Sequence, residues 1–145
     1  MRSLTTTLAL LLGMIIGPVM ADTDSNPLNG DRWQSRPLIV IAPNASDAAW
    51  QQFQQDLMKP ANREAFIERE MVLYTVVNGV GRRNDQPLDP QVTSALLNAL
   101  GVRPEGPTRL LLVGKDGGTK VDQYAPLDVR VIFATIDRMP MRRNP

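Results

Sequence analysis

The sequence of 145 residues predicts an α/β fold built on a mixed four-stranded sheet with flanking helices. Three uninterrupted apolar runs are typical of strands that are buried on both faces. They alternate with segments in which apolar residues recur every three or four positions, the pattern of helices that pack by one face. A more polar run after a glycine-rich turn completes the predicted order βαβαββα.

The first predicted strand is the apolar run from Leu38 to Ala42, which lies between two prolines. Ser46 is expected to cap the next helix, because a serine side chain can accept a hydrogen bond from a free backbone N–H group. That helix should end before Pro60, since the residue preceding a proline disfavours the helical conformation. A further short helix is predicted over residues 62–69. The predicted core-facing residues of the helix that follows Ser46 are Ala49, Trp50, Phe53 and Leu57.

The second predicted strand covers residues 71–77 (MVLYTVV). Residues 78–88 are rich in glycine and charge, and they predict a flexible loop. The Gly-Val-Gly sequence within this loop lacks the third glycine and the following helix of a dinucleotide-binding loop. Asp89 should cap the next helix, and Gly101 should end it. The predicted core-facing residues of this helix are Val92, Ala95, Leu96, Ala99 and Leu100.

Residues 109–113 (RLLLV) predict the third strand, and residues 119–124 predict the fourth. Residues 114–118 are typical of a tight turn, so these two strands should form an antiparallel hairpin. The first two strands are joined through a helix and should be parallel with a right-handed crossover. Asp128 is expected to cap the last helix, which should end at Pro140. Its core-facing residues are Val129, Ile132, Phe133 and Ile136.

This order of elements is the arrangement of the thioredoxin-like fold, with another small α/β sandwich as the alternative. The predicted organisation has four parts along the chain. They are a signal peptide at residues 1–21, an N-terminal arm at 22–36, a thioredoxin-like domain at 37–139 and a basic C-terminal tail at 140–145.

The first 21 residues have the composition of a signal peptide. Arg2 supplies the positive start, a 12-residue apolar run follows, and Ala21 ends a small-x-small cleavage pattern. The apolar run is shorter than the ~20 residues of a membrane-spanning helix, although a retained anchor is the alternative. We therefore expect a periplasmic or secreted protein with no transmembrane span after cleavage. The mature chain would carry 15 basic and 15 acidic residues, a balance that argues against nucleic-acid binding.

The sequence contains no cysteine and no histidine. This excludes thiol–disulfide exchange, Ser-His-Asp or Cys-His catalysis, and thiolate or imidazole zinc sites. In a thioredoxin-like enzyme the working thiol lies between the first strand and its helix, where this chain has Ser46. A serine hydroxyl with no neighbouring base cannot replace a thiolate. We therefore expect a non-catalytic binding module with no cofactor and no metal site.

Several polar residues are candidates for binding an unknown protein, glycan or other anionic ligand. Arg32, Trp33 and Arg36 form a dense cluster before the first strand, although Trp33 could instead pack the arm onto the sheet. If Pro107 is cis, its loop and the Ser46 loop should face each other across a shallow cleft. Further candidates are Lys115 and Asp116 in the glycine-rich turn, and Arg142 and Arg143 in the basic tail.

The acidic residues suggest an alternative, an enzyme that uses carboxylates or an oxygen-bound metal. Pairs of carboxylates can catalyse glycoside hydrolysis, and carboxylate clusters can hold hard cations. The candidate groups are Asp85 with Asp89, and Glu64 with Glu68 and Glu70. None of them lies in a recognisable catalytic motif, so pairing with nearby arginines is the simpler interpretation.

Four segments resemble the family called domain of unknown function 4174. They are RWQSRPLIVIAP (32–43), FIEREMVLYTVVNG (66–79), LLLVGKDGGTK (110–120) and IDRMPMRR (136–143). The resemblance implies a bacterial exported protein with a thioredoxin- or peroxiredoxin-like fold, similar to modules in vertebrate sushi-repeat and related matrix proteins. It assigns no chemical role to its motif positions, which here are Arg32, Trp33, Arg36, Lys115, Asp116, Gly117, Arg142 and Arg143.

Overall fold

The computed structural model describes residues 26–143, with side chains as far as Arg142. The predicted signal peptide at residues 1–21 lies outside these residues. A 3₁₀ helix (Pro27–Asp31) opens the described part. The strands are β1 (Arg36–Ala42), β2 (Met71–Val77), β3 (Val80–Arg83), β4 (Gln86–Pro87), β5 (Arg109–Val113) and β6 (Thr119–Tyr124). The helices are α1 (Ala48–Met58), α2 (Pro60–Glu68), α3 (Pro90–Leu100), α4 (Val129–Asp137) and α5 (Pro140–Arg143).

The fold is mixed α/β, and its open sheet has six strands in the order β4-β3-β2-β1-β5-β6. The prediction of four strands was wrong because residues 78–88 form two further strands instead of a flexible loop. Asn78 (φ 51°) and Gly79 (φ 75°) make a two-residue turn, and Asn84 (φ 45°) with Asp85 (φ 68°) makes another. Two successive residues with positive φ match the twist of paired strands, and Asn-Gly is a strong hairpin signal.

The four strands predicted from sequence pair as expected. β1 and β2 are parallel, with Arg36 opposite Met71 and Ala42 opposite Val77. β5 is antiparallel to β1 and forms an antiparallel hairpin with β6. As a result, the start of β1, the start of β2 and the β5–β6 turn all lie at one end of the sheet.

Helices cover both faces of the sheet. Helices α1 and α4 pack on the first face, where Phe53, Ile132 and Ile136 are fully buried against β1 and β5 residues such as Leu38 and Leu110. Helix α3 and the 3₁₀ helix cover the second face. The buried residues there include Leu28, Ile39, Tyr74, Val76, Leu96 and Leu111.

Most helix boundaries agree with the sequence prediction, but the cap of α1 differs. Asp47, and not Ser46, is the N-cap residue, and its carboxylate accepts a hydrogen bond from the Trp50 backbone N–H at 3.0 Å. Gly101 ends α3 in the left-handed conformation, as predicted. The buried residues of α3 are Thr93, Leu96 and Leu97, so its core-facing stripe is slightly rotated from the predicted one.

No helix within residues 26–143 is long and apolar enough to cross a membrane.

Candidate anion-binding site

A cavity of about 370 Å³ lies at the end of the sheet where β1 begins. Topology brings its walls together. Strand β5 runs antiparallel to β1, so the turn after β5 returns to the start of β1. Helix α4 follows β6, and its C-terminus lies at the same end of the sheet. Four cationic side chains line this cavity, from β1, the β5–β6 turn, β6 and the end of α4: Arg36, Lys115, Lys120 and Arg138. We call it the Arg36 pocket.

Arg36 is the most buried of these cations, since its side chain is only 3% exposed. Its Nη1 donates a hydrogen bond to the carbonyl oxygen of Arg69 at 2.8 Å and lies 3.8 Å from the carboxylate of Glu70. Its Nε is the single buried side-chain polar atom without a hydrogen-bond partner among residues 26–143. Burial lowers the pKa of Arg36 from its ordinary value, because the charged form is poorly solvated.

Lys115 and Glu70 form an ion pair beside Arg36. The Nζ of Lys115 donates a hydrogen bond to the Glu70 carboxylate, and this bond is the main reason why the pKa of Glu70 is lowered. Arg36 adds a smaller electrostatic effect in the same direction. Glu70 therefore remains ionised at neutral pH and holds two of the pocket cations near one another.

Asp116 is the acidic residue of the pocket lining, and it organises the β5–β6 turn. Its carboxylate accepts hydrogen bonds from the Nζ of Lys120 and from the backbone N–H of Gly118, both at 2.9 Å. The bond from Lys120 is the main cause of the lowered pKa of Asp116. Asp116 therefore has a structural role in the turn, as well as contributing negative charge to the pocket.

Arg138 closes the pocket from the end of α4. Its Nε donates to the carbonyl oxygen of Ala134 at 3.1 Å. No carboxylate in the described part of the chain forms an ion pair with it. The rest of the lining is mainly apolar, with Met139, Pro140 and Met141 beside Gly114 and Thr135. The pocket thus combines cationic groups with an apolar surface.

Arg32 and Trp33 lie beside the pocket, next to its β5–β6 turn. The backbone N–H of Trp33 donates to the carbonyl oxygen of Lys115 at 2.8 Å, and the Trp33 side chain is 61% exposed. Gly117 has φ +87°, and a Cβ there would lie 2.5 Å from the Nε of Arg32. The absence of a side chain at Gly117 therefore lets Arg32 pack on the turn.

Arg142 is held in ion pairs and does not line the pocket. Its guanidinium pairs with Glu68 and lies 3.7 Å from the carboxylate of Asp137. Residues of the predicted basic tail form the short helix α5, and the side chain of Arg143 lies outside the described atoms.

Ser46 and Pro107 lie at the opposite end of the sheet, about 20 Å away for a seven-residue strand such as β1. The backbone N–H and the hydroxyl of Ser46 both donate to the Asn44 side chain. The two loops do meet there, because the Thr108 hydroxyl donates to Asp47. Pro107 is trans, since the cis peptide bond among the described residues is Ala125–Pro126.

The acidic candidates are mostly engaged by cations. Glu68 pairs with Arg142, Glu70 with Lys115, and Asp85 lies 3.9 Å from Arg82. No group of three or more acidic residues between positions 26 and 143 is placed to hold a metal ion.

One family model, described as Domain of unknown function (DUF4174), matches residues 27–145 and covers every wall of the Arg36 pocket. The chain belongs to this family. No curated protein and no solved structure matches it. Three candidate residues predicted from the sequence, Arg36, Lys115 and Asp116, line the pocket of this DUF4174 chain.

The sequence prediction missed the pocket residues Lys120, Arg138, Met139 and Met141 of the DUF4174 chain. A topological signal was available. The predicted order of strands and helices already places the start of the first strand, the glycine-rich turn and the end of the last helix at one end of the sheet. Glu70, which precedes the second strand, lies at the same end. The sequence pattern could not show which of these side chains turn toward one another.

Proposed function

We propose that this DUF4174 chain is an exported, non-catalytic binding module of thioredoxin-like arrangement, and that it binds an anionic group in the Arg36 pocket. The observation that carries the proposal is the unpaired Nε–H of a buried guanidinium that lines this pocket. A buried donor without a partner costs about 1–3 kcal/mol. A ligand oxygen that accepts this hydrogen bond would recover part of that free energy.

The thioredoxin-like arrangement is supported by four adjacent strands of the sheet. Strands β2, β1, β5 and β6 are contiguous and contain one parallel pair and two antiparallel pairs. The strands β3 and β4 extend this core at the β2 edge. Helices lie on both faces, as the proposed arrangement requires.

The non-catalytic character is supported by the loop before α1. Where a thioredoxin-like enzyme carries its thiol, this chain has Asn44 to Asp47 and no cysteine. The carboxylate of Asp47 already accepts the Trp50 backbone N–H and the Thr108 hydroxyl. The N-terminus of α1 is therefore capped from within the chain.

Export has a direct test. The proposed signal peptide is expected to be cleaved after Ala21, so the mature protein should begin at Asp22. Mass spectrometry of the protein recovered from the periplasmic or secreted fraction of the native cells measures the mass of the chain and so identifies its first residue. An uncleaved chain in the cytosol would contradict the proposal of export.

Anion binding is tested by titrating ¹⁵N-labelled protein with sodium acetate at constant ionic strength. We expect saturable shifts of the backbone amide signals of Arg36, Gly114 and Lys115, which surround the pocket. In the variant Arg138→Gln the affinity should fall by about threefold to tenfold, because one charge of a partly solvated cluster is lost.

The matched control for this titration is Arg130→Gln, which removes the same charge at the other end of α4. Arg130 pairs with Asp128 and is 84% exposed, and it does not line the Arg36 pocket. It should leave the affinity unchanged. Shifts that do not saturate, or equal weakening by both variants, would contradict the anion site.

A further inference from the structure

We propose that the ligand of the Arg36 pocket is a monocarboxylate attached to an apolar group. The proposal rests on the anion-binding function above and specifies the chemistry of the ligand. Two features carry it: the Nε and Nη2 of Arg36, which have no partner among the described residues, and the apolar residues in the lining of the same pocket.

The free edge of Arg36 has the shape of a carboxylate receptor. Nη1 is occupied by the Arg69 carbonyl, whereas neither Nε nor Nη2 donates a hydrogen bond to any residue between 26 and 143. Nε and Nη2 lie side by side, and Nε is closed off from solvent. A small movement of the guanidinium toward the cavity would let both groups donate parallel hydrogen bonds to the two oxygens of one planar carboxylate.

The same molecule uses this edge twice for carboxylates. Arg69 donates from Nε and Nη2 to the two oxygens of Asp137, at 3.0 and 2.8 Å. Arg109 does the same with Asp122, at 2.7 and 2.8 Å. Arg36 has no such acidic partner, since Glu70 lies nearest to its Nη1. A carboxylate from outside the chain would complete the same bidentate pair.

The positive charges of the pocket are only partly balanced by its acidic residues, so the pocket can attract an anion. Glu70 and Asp116 each offset a lysine, which leaves the charges of Arg36 and Arg138 without an ion pair of good geometry among the described residues. A single carboxylate placed between them is attracted by both guanidinium groups. A strongly hydrated dianion is a poorer ligand, because the apolar wall cannot replace its water.

The apolar wall indicates that the carboxylate carries an apolar group. Met139, Pro140 and Met141 line the pocket, and Met141 remains 43% exposed although it is a large apolar residue. Methionine side chains are unbranched and adapt to apolar groups of different shape. The cavity of about 370 Å³ lies at the lower end of the size range of small-molecule pockets.

Isothermal titration of the full-length protein with acetate, octanoate, octanol and inorganic phosphate tests this proposal. Octanoate should bind about tenfold or more tighter than acetate, because burial of two methylene groups already supplies that factor. Octanol should show no saturable binding, since it lacks the charge. Phosphate should bind no tighter than acetate.

Two pocket variants localise the effects. Arg36→Lys keeps the charge and removes the planar pair of donors, so octanoate affinity should fall by about tenfold or more. Met141→Ser should weaken octanoate and leave acetate unchanged. Because Arg36 is buried, the Arg36→Lys variant is first checked by its ¹H–¹⁵N spectrum; Met141→Ser, at an exposed position, tests the apolar wall independently of that check.

A parallel titration with N-acetyl-leucine distinguishes the two sources of such a ligand. Tighter binding of octanoate indicates a free fatty acid, and tighter binding of N-acetyl-leucine indicates the carboxyl terminus of an apolar peptide. Equal affinities for acetate, phosphate and octanoate would overturn the carboxylate proposal while anion binding stands. Absence of binding for every anion would overturn both.

Discussion

Replacement of Phe53 by alanine is expected to lower the free energy of unfolding by about 3–5 kcal/mol. Phe53 lies on the buried face of α1 and is 0% exposed. It belongs to the core on the first face of the sheet, together with Val40 of β1 and Ile132 of α4. Truncation removes apolar area from the core and leaves a cavity, because the rigid sheet below can relax only in part.

Urea denaturation followed by circular dichroism measures this loss. The matched control is Gln54→Ala, one position further along the same helix, where the side chain is exposed. It should change the free energy of unfolding by less than about 0.5 kcal/mol. A loss below about 1 kcal/mol for Phe53→Ala would show that α1 does not pack on the sheet through a buried Phe53.

Replacement of Asp31 by alanine is expected to lower the free energy of unfolding by about 2–4 kcal/mol. Asp31 is 4% exposed and fastens the 3₁₀ helix to the sheet. Its carboxylate accepts a hydrogen bond from the Tyr74 hydroxyl at 2.6 Å and another from Nη2 of Arg83 at 2.8 Å. Without it, a buried hydroxyl and a partly buried guanidinium lose their partner.

The chain offers a matched control for this variant. Asp122 and Tyr124 of the exposed strand β6 form a similar set with Arg109 of β5, whose guanidinium lies 5.2 Å from the Tyr124 ring centre. Asp122→Ala should cost less than about 1 kcal/mol, because exposed ion pairs are screened by water. Similar losses for the two variants would contradict the role assigned to burial.

The Asp31 network also predicts a dependence on alkaline pH. Burial, followed by the hydrogen bond to Asp31, raises the pKa of Tyr74 to about 12 from an ordinary value near 10. Because the folded state holds the phenolic proton more tightly, this stability is fully present below pH ~10 and is lost as the pH rises toward ~12. Tyrosinate absorbance of the variant Tyr124→Phe, which leaves Tyr74 as the remaining tyrosine, measures the titration.

The sequence predicted the strands β1, β2, β5 and β6 closely. The strands at 71–77 and 109–113 have the predicted bounds, since continuous apolar runs between turns admit few alternatives. The more polar strand at 119–124 also has them, because a glycine-rich turn marks its start. The strands β3 and β4 were missed because they are short and polar, and the β3 residues Arg82 and Arg83 resemble a loop. The Asn78-Gly79 pair was the available hairpin signal.

The candidate site was predicted in part. Arg36, Lys115 and Asp116 line the pocket as members of a proposed binding surface, and Arg32 and Trp33 lie beside them. Ser46 and Pro107 were grouped with them and lie at the other end of the sheet. The tail presents less unpaired positive charge than expected, because Arg142 forms an ion pair with Glu68. Such ion pairs join residues that are far apart in the chain, so a local sequence pattern does not reveal them.

The sequence by itself determined the mixed α/β class, the parallel pair β1–β2 and the hairpin β5–β6. It also excluded thiol and imidazole chemistry, because the side chains for that chemistry are absent. Only the tertiary structure decided which charges are paired and which are left over. Every arginine has the same charge in the sequence, but Arg69 and Arg109 have carboxylate partners, whereas the Nε of Arg36 is buried without one. Burial and pairing are properties of the packed chain, and they distinguish a structural arginine from a candidate ligand receptor.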